Sequence, residues 1–177
     1  MTGPTLTTAR LILRPPVAED FAGFVDLMSR EESRFIGGPM APELVWRGAS
    51  TIAGAWIIEG FSMFSVLERD SGKWIGRVGP WRPLGWPGNE VGWGLLPQAQ
   101  GRGYATEAAT ASIDWAFDHL GWDDVIHCIA PDNGPSQAVA RRLGSENRGP
   151  GRMPAPFDHL PIEIWGQSRE EWRARTR

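Results

Sequence analysis

Residues 90–120 read EVGWGLLPQAQGRGYATEAATASIDWAFDHL, an apolar strand, a glycine-bearing turn and a long helix in that order. The order brings several main-chain N–H groups together at one helix start, where the first turn leaves its donors without intrahelical partners. The turn is Gln100-Gly101-Arg102-Gly103-Tyr104-Ala105-Thr106. Its glycines let the chain bend sharply and leave no side chain between the amides and an incoming anion, while Arg102 adds a movable positive charge. After it, Ala105, Ala108, Ala109, Ser112, Ile113, Ala116, Phe117 and Leu120 recur at helical spacing, which predicts one small or apolar face and a docked helix. Gly121 is the C-terminal stop. Such a corner binds phosphate.

Three kinds of phosphate site compete for this pattern, beside an ordinary glycine-rich connection. A Walker loop needs Gly-Lys followed by Ser or Thr, which the chain lacks. A dinucleotide fingerprint needs Gly or Ala where Thr106 stands, and the repeated strand-helix-strand units of a doubly wound sheet are missing. The acyl-coenzyme A signature, Gln/Arg-x-x-Gly-x-Gly/Ala, is filled by Gln100, Gly103 and Ala105 directly after a strand. That reading fits.

On these residues the chain resembles the GNAT acetyltransferase superfamily, most closely its branch of ribosomal-protein N-terminal acetyltransferases (Rim type). Four pieces carry the resemblance: TTARLILRP at 7–15, NEVGWGLL at 89–96, QGRGYATEAATASIDWAF at 100–117 and NGPSQAVARRLG at 133–144. The resemblance implies an α/β (α+β) fold with a mixed, mostly antiparallel central sheet flanked by helices. In it the strand at 90–96 and a later parallel strand splay apart, and the pantetheine arm of acetyl-coenzyme A lies between them. The resemblance also implies coenzyme contacts from Leu95 and Leu96 at the strand end, and from Asn133 to the arm. Gln100, Gly101, Arg102, Gly103, Tyr104, Ala105 and Thr106 become the pyrophosphate cradle. Arg141 or Arg142 would meet the outer phosphate, or else both are solvated helix arginines. Two family features depart here: the tyrosine expected seven residues after the asparagine is Ala140, and the aromatic after the helix-ending glycine is Ser145.

Outward from this stretch, 177 residues with 41% hydrophobic content and ten tryptophans suffice for one core, so a single domain over 1–177 is expected. A net charge of −3 and a pI near 5.6 give no general attraction to nucleic acid or an acidic membrane. Neither is expected as a partner; a homodimer is compatible with the reading. The sole cysteine, Cys128, excludes an intrachain disulfide and a thiolate cluster, and His119 and His159 lack a second ligand at metal spacing. No metal is expected. Without a basic segment leading into an apolar run, and without a membrane-length apolar stretch, a cytoplasmic location is expected.

Residues 6–14 read as a first strand ended by Pro15-Pro16, and 18–29 as an amphipathic helix with Phe21, Phe24, Val25 and Met28 on one face. A second helix is expected at 43–59 with Leu44, Arg47, Thr51, Ala55 and Ile58 on a shared face. Residues 35–39 then form a pocket rim or a connector. Runs at 61–67 and 73–81 form an antiparallel pair across a polar loop. After the central helix come a strand at 125–130, a helix at 134–143, a proline-rich loop at 150–161, a last strand at 162–165 and a surface helix or tail.

Transfer from a thioester to an amine needs the two reactants positioned and the developing charge stabilised, with no covalent enzyme intermediate. A main-chain N–H near Leu95 is placed to donate to an oxyanion. Glu90 shares a face with Gly92 and Gly94 by alternation, which makes it a candidate general base; the alternative is a solvated turn glutamate. Ser136 fills the serine of the family's Asn-x-x-Ser and could protonate the leaving thiolate, or bond the helix start. His127 faces the substrate or is structural, and Cys128 is a buried inert thiol. The acceptor is a primary amine, a protein N-terminus or a small molecule; the other reading is a non-catalytic acyl-coenzyme A sensor or scaffold.

Overall fold

The run at 6–14 folds as a hairpin rather than one strand. In the computed structural model, which describes residues 3–175 and so leaves residues 1–2 and 176–177 of the expected domain outside, β1 (Leu6–Thr7) pairs antiparallel with β2 (Leu11–Arg14). Thr8 causes the turn: its N–H donates to the Leu11 carbonyl and its Oγ1 accepts the Leu11 N–H, both at 3.0 Å. A polar side chain that bonds its own neighbourhood offers the chain an alternative to continuing straight.

Helix α1 (Phe21–Met28) buries Phe24, Leu27 and Met28. Its start is fixed by the buried Asp20, which accepts two Arg14 N–H bonds at 2.7 and 2.8 Å and the Ser65 hydroxyl at 2.7 Å. A buried carboxylate held this way is paired and hydrogen-bonded, the condition under which burial is tolerable. Helix α2 (Pro42–Ile58) begins on proline, whose missing N–H is no loss there. Its expected face is corrected: Leu44 and Ile58 are exposed, and the buried residues are Val45, Ile52 and Trp56. Apolar residues run around the whole helix, so more than one set satisfies the helical period. Trp56 decides between them by packing against Phe64 and Trp115 at centroid distances of 4.9 and 5.9 Å.

Strands β3 (Phe64–Glu68) and β4 (Trp74–Trp81) make the expected antiparallel pair, followed by β5 (Glu90–Leu95), α3 (Tyr104–His119), β6 (Asp124–Ile129) and α4 (Gly134–Leu143). The chain closes with β7 (Glu146–Gly151), β8 (Ile162–Ser168) and α5 (Arg169–Arg175). The sheet order is β1-β2-β3-β4-β5-β6-β8-β7, antiparallel except between β5 and β6. This is the expected mixed, mostly antiparallel sheet. β7 falls partly where a loop was expected. Its sequence ENRGPG has no apolar alternation, and the proline is admitted because this is an edge strand.

Helix α3 covers one sheet face, where Ala108, Ala109, Ile113, Ala116 and Phe117 meet Leu11, Leu13, Phe64, Val66, Val78 and Val91. Each large side chain removed from water there contributes on the order of 2 kcal/mol. On the opposite face α1 and α2 share a smaller cluster, Phe24, Leu27, Met28, Val45, Ile52, Met63 and Leu96. That layer does not close over the sheet, and the opening is where the polar chemistry lies. Among the described residues no helix is long and apolar enough to cross a membrane.

Candidate active site

The parallel pair begins normally and then opens. The Ile126 N–H reaches the Asn89 carbonyl at 2.9 Å, and Glu90 stands opposite Ile126 as the one aligned pair. The next rung of a parallel ladder would run from the Cys128 N–H to the Val91 carbonyl. It is replaced by two side chains: the Cys128 N–H donates to Glu90 Oε1 at 3.2 Å, and the Val91 carbonyl accepts from His127 Nδ1 at 2.7 Å. Glu90 and His127 therefore wedge the strands apart at the point where the fold must splay. Beyond the wedge, alternation along β5 turns the main-chain groups of Trp93 and Leu95 toward the gap, because those of Leu96 face β4, with its N–H on the Ile75 carbonyl at 2.9 Å.

His127 is the structural member of this pair. A carbonyl only accepts, so Nδ1 carries the proton to Val91, and Nε2 accepts the Ser145 hydroxyl at 2.9 Å. Ser145 in turn accepts the Gln167 amide at 3.0 Å. The serine that stands where the resembling family has an aromatic is thus the buried partner of the histidine. Burial pulls the His127 pKa down to about 4, so the ring is neutral near pH 7. Replacing it, His127→Ala, should lower unfolding free energy by about 3 kcal/mol, since it opens a cavity and strands the Val91 carbonyl. The histidine also takes a proton more readily when unfolded. Wild-type stability should therefore fall, relative to the variant, as pH drops from about 6.5 to about 4. Urea titrations across that range check both, and a loss under about 1 kcal/mol with no pH-dependent difference counts against the bridge.

On the α1–α2 side the wedge opens into a cavity of about 770 Å³. Glu90, Arg77, Ser136 and Asn133 supply polar groups to a lining rich in Phe24, Met28, Phe35, Ile36, Trp81 and Trp86. Residues 35–37 form part of its wall, which favours the rim reading, and the proline-rich segment contributes Pro154, Phe157 and Leu160. Gly92 keeps the floor low: a Cβ there would stand 2.9 Å from the Met63 methyl and 3.4 Å from Glu90 Oε1.

Glu90 is only 7% exposed, which removes the solvated-turn alternative. Burial pushes its carboxyl up to about 7, against the opposing pull of bonds from Trp86 Nε1 and the Cys128 N–H and of the Arg77 charge. A carboxyl poised there exchanges a proton near neutral pH. Ser136 also departs from its bland reading. Its N–H, not its hydroxyl, makes the helix-start bond, to Asn133 Oδ1 at 3.2 Å, while Oγ accepts from Trp93 Nε1 at 3.2 Å. Its hydroxyl proton has no acceptor among the described residues and the side chain lines the cavity. Burial, with Glu90 next, holds the Cys128 thiol far above its ordinary range, so it stays protonated.

At the other end of β5 lies the turn. Gly101 and Gly103 take left-handed φ values of +72° and +80°, and Gly103 caps α3. The amides of Gly101, Arg102, Gly103, Tyr104, Ala105 and Thr106 donate to no acceptor among the described residues. This ring of donors at a helix start fits a pyrophosphate. The side chains around it do other work. Gln100 Nε2 donates to the Leu95 carbonyl at 3.0 Å and caps the strand. Tyr104 is buried, its hydroxyl donates to Glu68 at 2.9 Å, and the guanidinium groups of Arg10 and Arg102 each lie over its ring, 4.6 Å from the centroid. It offers the cradle only main chain. Arg102 is paired with Glu68 at 2.8 Å and half exposed. The main chain of Leu96 turns away from the gap, its carbonyl accepting from Ala99. Of the two helix arginines, Arg141 lies over the Trp165 ring at 5.0 Å.

Arg77 was not singled out in the sequence. It sits mid-strand in β4 opposite Gly94, and its place on the cavity shows only when α1 and α2 roof that face. Among the described residues no group of three or more His, Cys, Asp or Glu is arranged to hold a metal.

Residues 10–146 match the model of the acetyltransferase (GNAT) domain. A Bacillus subtilis (strain 168) protein described as an uncharacterized N-acetyltransferase, YnaD, is 33% identical over 86 residues, 49% of this chain and 51% of that protein. The chain spans about half the length of the curated relatives it matches. An acetyltransferase from Agrobacterium tumefaciens str. C58 is similar throughout, with 31% identity, 96% of each chain covered and a TM-score of 0.85. A ribosomal-protein alanine acetyltransferase from Vibrio fischeri, 17% identical over 96% of this chain and 98% of that one, has a TM-score of 0.74 and shares the fold.

Proposed function

Because this chain belongs to the GNAT acetyltransferase family, we propose that it transfers an acetyl group from acetyl-coenzyme A to a primary amine by direct attack, the acceptor lying in the cavity beside Glu90. The coenzyme supplies an acetyl group activated as a thioester. Gly101 to Thr106 would hold its pyrophosphate on main-chain N–H groups, and the gap between β5 and β6, with Asn133 at its edge, would take the pantetheine arm. Glu90 accepts the proton of the attacking amine at its carboxylate. The Leu95 N–H, turned toward the gap, donates to the oxygen where negative charge develops. Ser136 Oγ–H lies on the same cavity and relays a proton from solvent to the departing thiolate, Oγ regaining the proton it gives while the one taken by Glu90 leaves to solvent.

The observation that carries this reading is Glu90, a buried carboxyl with its pKa raised to about 7 on the floor of an apolar cavity. A base matters because an α-amine of pKa about 7.8 is roughly a tenth neutral at pH 7, and a lysine amine of pKa about 10.4 far less. Thiol release from acetyl-coenzyme A over a panel of peptides with free N-termini, amino acids, polyamines and aminoglycosides tests it. Release with at least one class is expected. Tight coenzyme binding with no release across the panel would leave the sensor or scaffold reading in its place.

A further inference from the structure

The cavity holds a cation that no carboxylate among the described residues pairs with. Arg77 projects from β4 into an apolar lining, and among the described residues its one hydrogen-bonded contact is to the Met63 sulfur. A guanidinium carries five N–H donors and a thioether is a weak acceptor. The acid on the same cavity does not pair with it: Glu90, which accepts the Trp86 indole N–H at Oε2 and the Cys128 N–H at Oε1, acts on Arg77 only through its field. Among the described residues no carboxylate lies within ion-pair distance of Arg77, although Arg10, Arg14, Arg30, Arg102, Arg148, Arg152 and Arg173 each have one. Burial lowers the Arg77 pKa only to about 10, so the charge persists near pH 7. A half-buried, charged fork with idle donors is expensive to maintain unless something else completes it.

We propose that Arg77 binds a carboxylate on the acceptor, so that the preferred substrate is a small amine with an apolar body and an acid group, amino-acid-like in its chemistry. The inference rests on the acetyl-transfer reading and narrows it. Three features meet in one cavity: Glu90 for the amine, an aromatic and aliphatic lining for the body, and Arg77 for the acid. A planar guanidinium matches a carboxylate through two parallel N–H bonds, which gives orientation as well as attraction. The two charged residues stand on neighbouring strands, Arg77 opposite Gly94 and Glu90 opposite Trp81, so their side chains address different parts of one ligand.

Matched amines with and without the acid test this: L-phenylalanine with phenethylamine, L-tryptophan with tryptamine, and 4-aminomethylbenzoate with benzylamine, followed by thiol release. In at least one pair the acid-bearing member should show kcat/KM higher by about tenfold or more. Arg77→Gln should abolish that preference, the acid-bearing member losing kcat/KM relative to its bare amine mainly through KM, and Arg77→Met should do the same if the first variant folds poorly. Any loss common to both members belongs to Glu90, whose ionised form the Arg77 charge favours. Bare amines used as well as their acids, or a preference that survives both variants, would overturn the role of Arg77 while leaving acetyl transfer standing. Should no amine release thiol, the transfer reading fails. Calorimetry of the acid-bearing members with coenzyme A present then decides on Arg77 alone. Binding by wild type that is lost in Arg77→Gln supports it, and no binding or equal binding overturns it.

Discussion

Glu90→Gln should lower kcat by about a hundredfold or more above neutral pH, the loss typical when a positioned base is removed. In wild type the rate should rise with pH through about 7, because the carboxyl accepts a proton only when ionised, and burial sets that midpoint. The variant should keep only the ionisation of the acceptor amine itself. A glutamine cannot accept from both Trp86 and the Cys128 N–H, so some stability is lost as well, about 1–3 kcal/mol for a stranded donor. A thermal melt separates that loss from the catalytic one. Trp86→Phe gives an independent reading: it removes a bond that favours the ionised carboxylate, so the acid limb should move to higher pH while the base remains. Superimposable pH–rate profiles for wild type and Glu90→Gln would end the assignment, and an unmoved limb in Trp86→Phe would detach the limb from Glu90.

What could be read from residues alone follows from how local each cause is. The central helix was legible because its small residues repeat at one period and its start is marked by glycines, which Gly101 and Gly103 bear out with left-handed φ. Alternation likewise set Glu90 beside Gly92 and Gly94 on the face that became the cavity floor. Alternation does not reveal burial, so a solvated glutamate and a buried one look alike until α1 and α2 are in place. The face of α2 was misread for a related reason, since only the tertiary contact of Trp56 selects among its apolar residues. β7 gave no signal because an edge strand needs no apolar alternation, and the proton chain from Val91 through His127 and Ser145 to Gln167 joins segments far apart in the chain. Arg77 was hidden twice, as a charged residue in a strand and as a residue whose missing partner is visible only in three dimensions.

Gly103→Val should raise the dissociation constant for acetyl-coenzyme A by about a hundredfold, as expected when two N–H bonds to a charged phosphate are lost at about 1.5 kcal/mol each. The residue sits at φ +80°, where a β-branched side chain is an outlier, and holding an L-residue there costs roughly 1–2 kcal/mol. The backbone relieves that strain by rotating, which turns the Gly103 and Tyr104 amides out of the ring of donors. Little else stands in the way, since a Cβ at this position would meet only Arg10 Nη2, at 3.4 Å, so the fold should survive. Gly121→Val isolates binding from strain. Gly121 also has a left-handed φ, +68°, with nothing near its Cβ position, but it lies at the opposite end of α3, about 24 Å away along a helix of 16 residues. Both variants should lose similar stability in a thermal melt, and only Gly103→Val should lose the coenzyme in a calorimetric titration. If both bind it as wild type does, the pyrophosphate is held somewhere other than on these amides; if both lose it equally, the effect is strain transmitted through α3 and says nothing for the cradle.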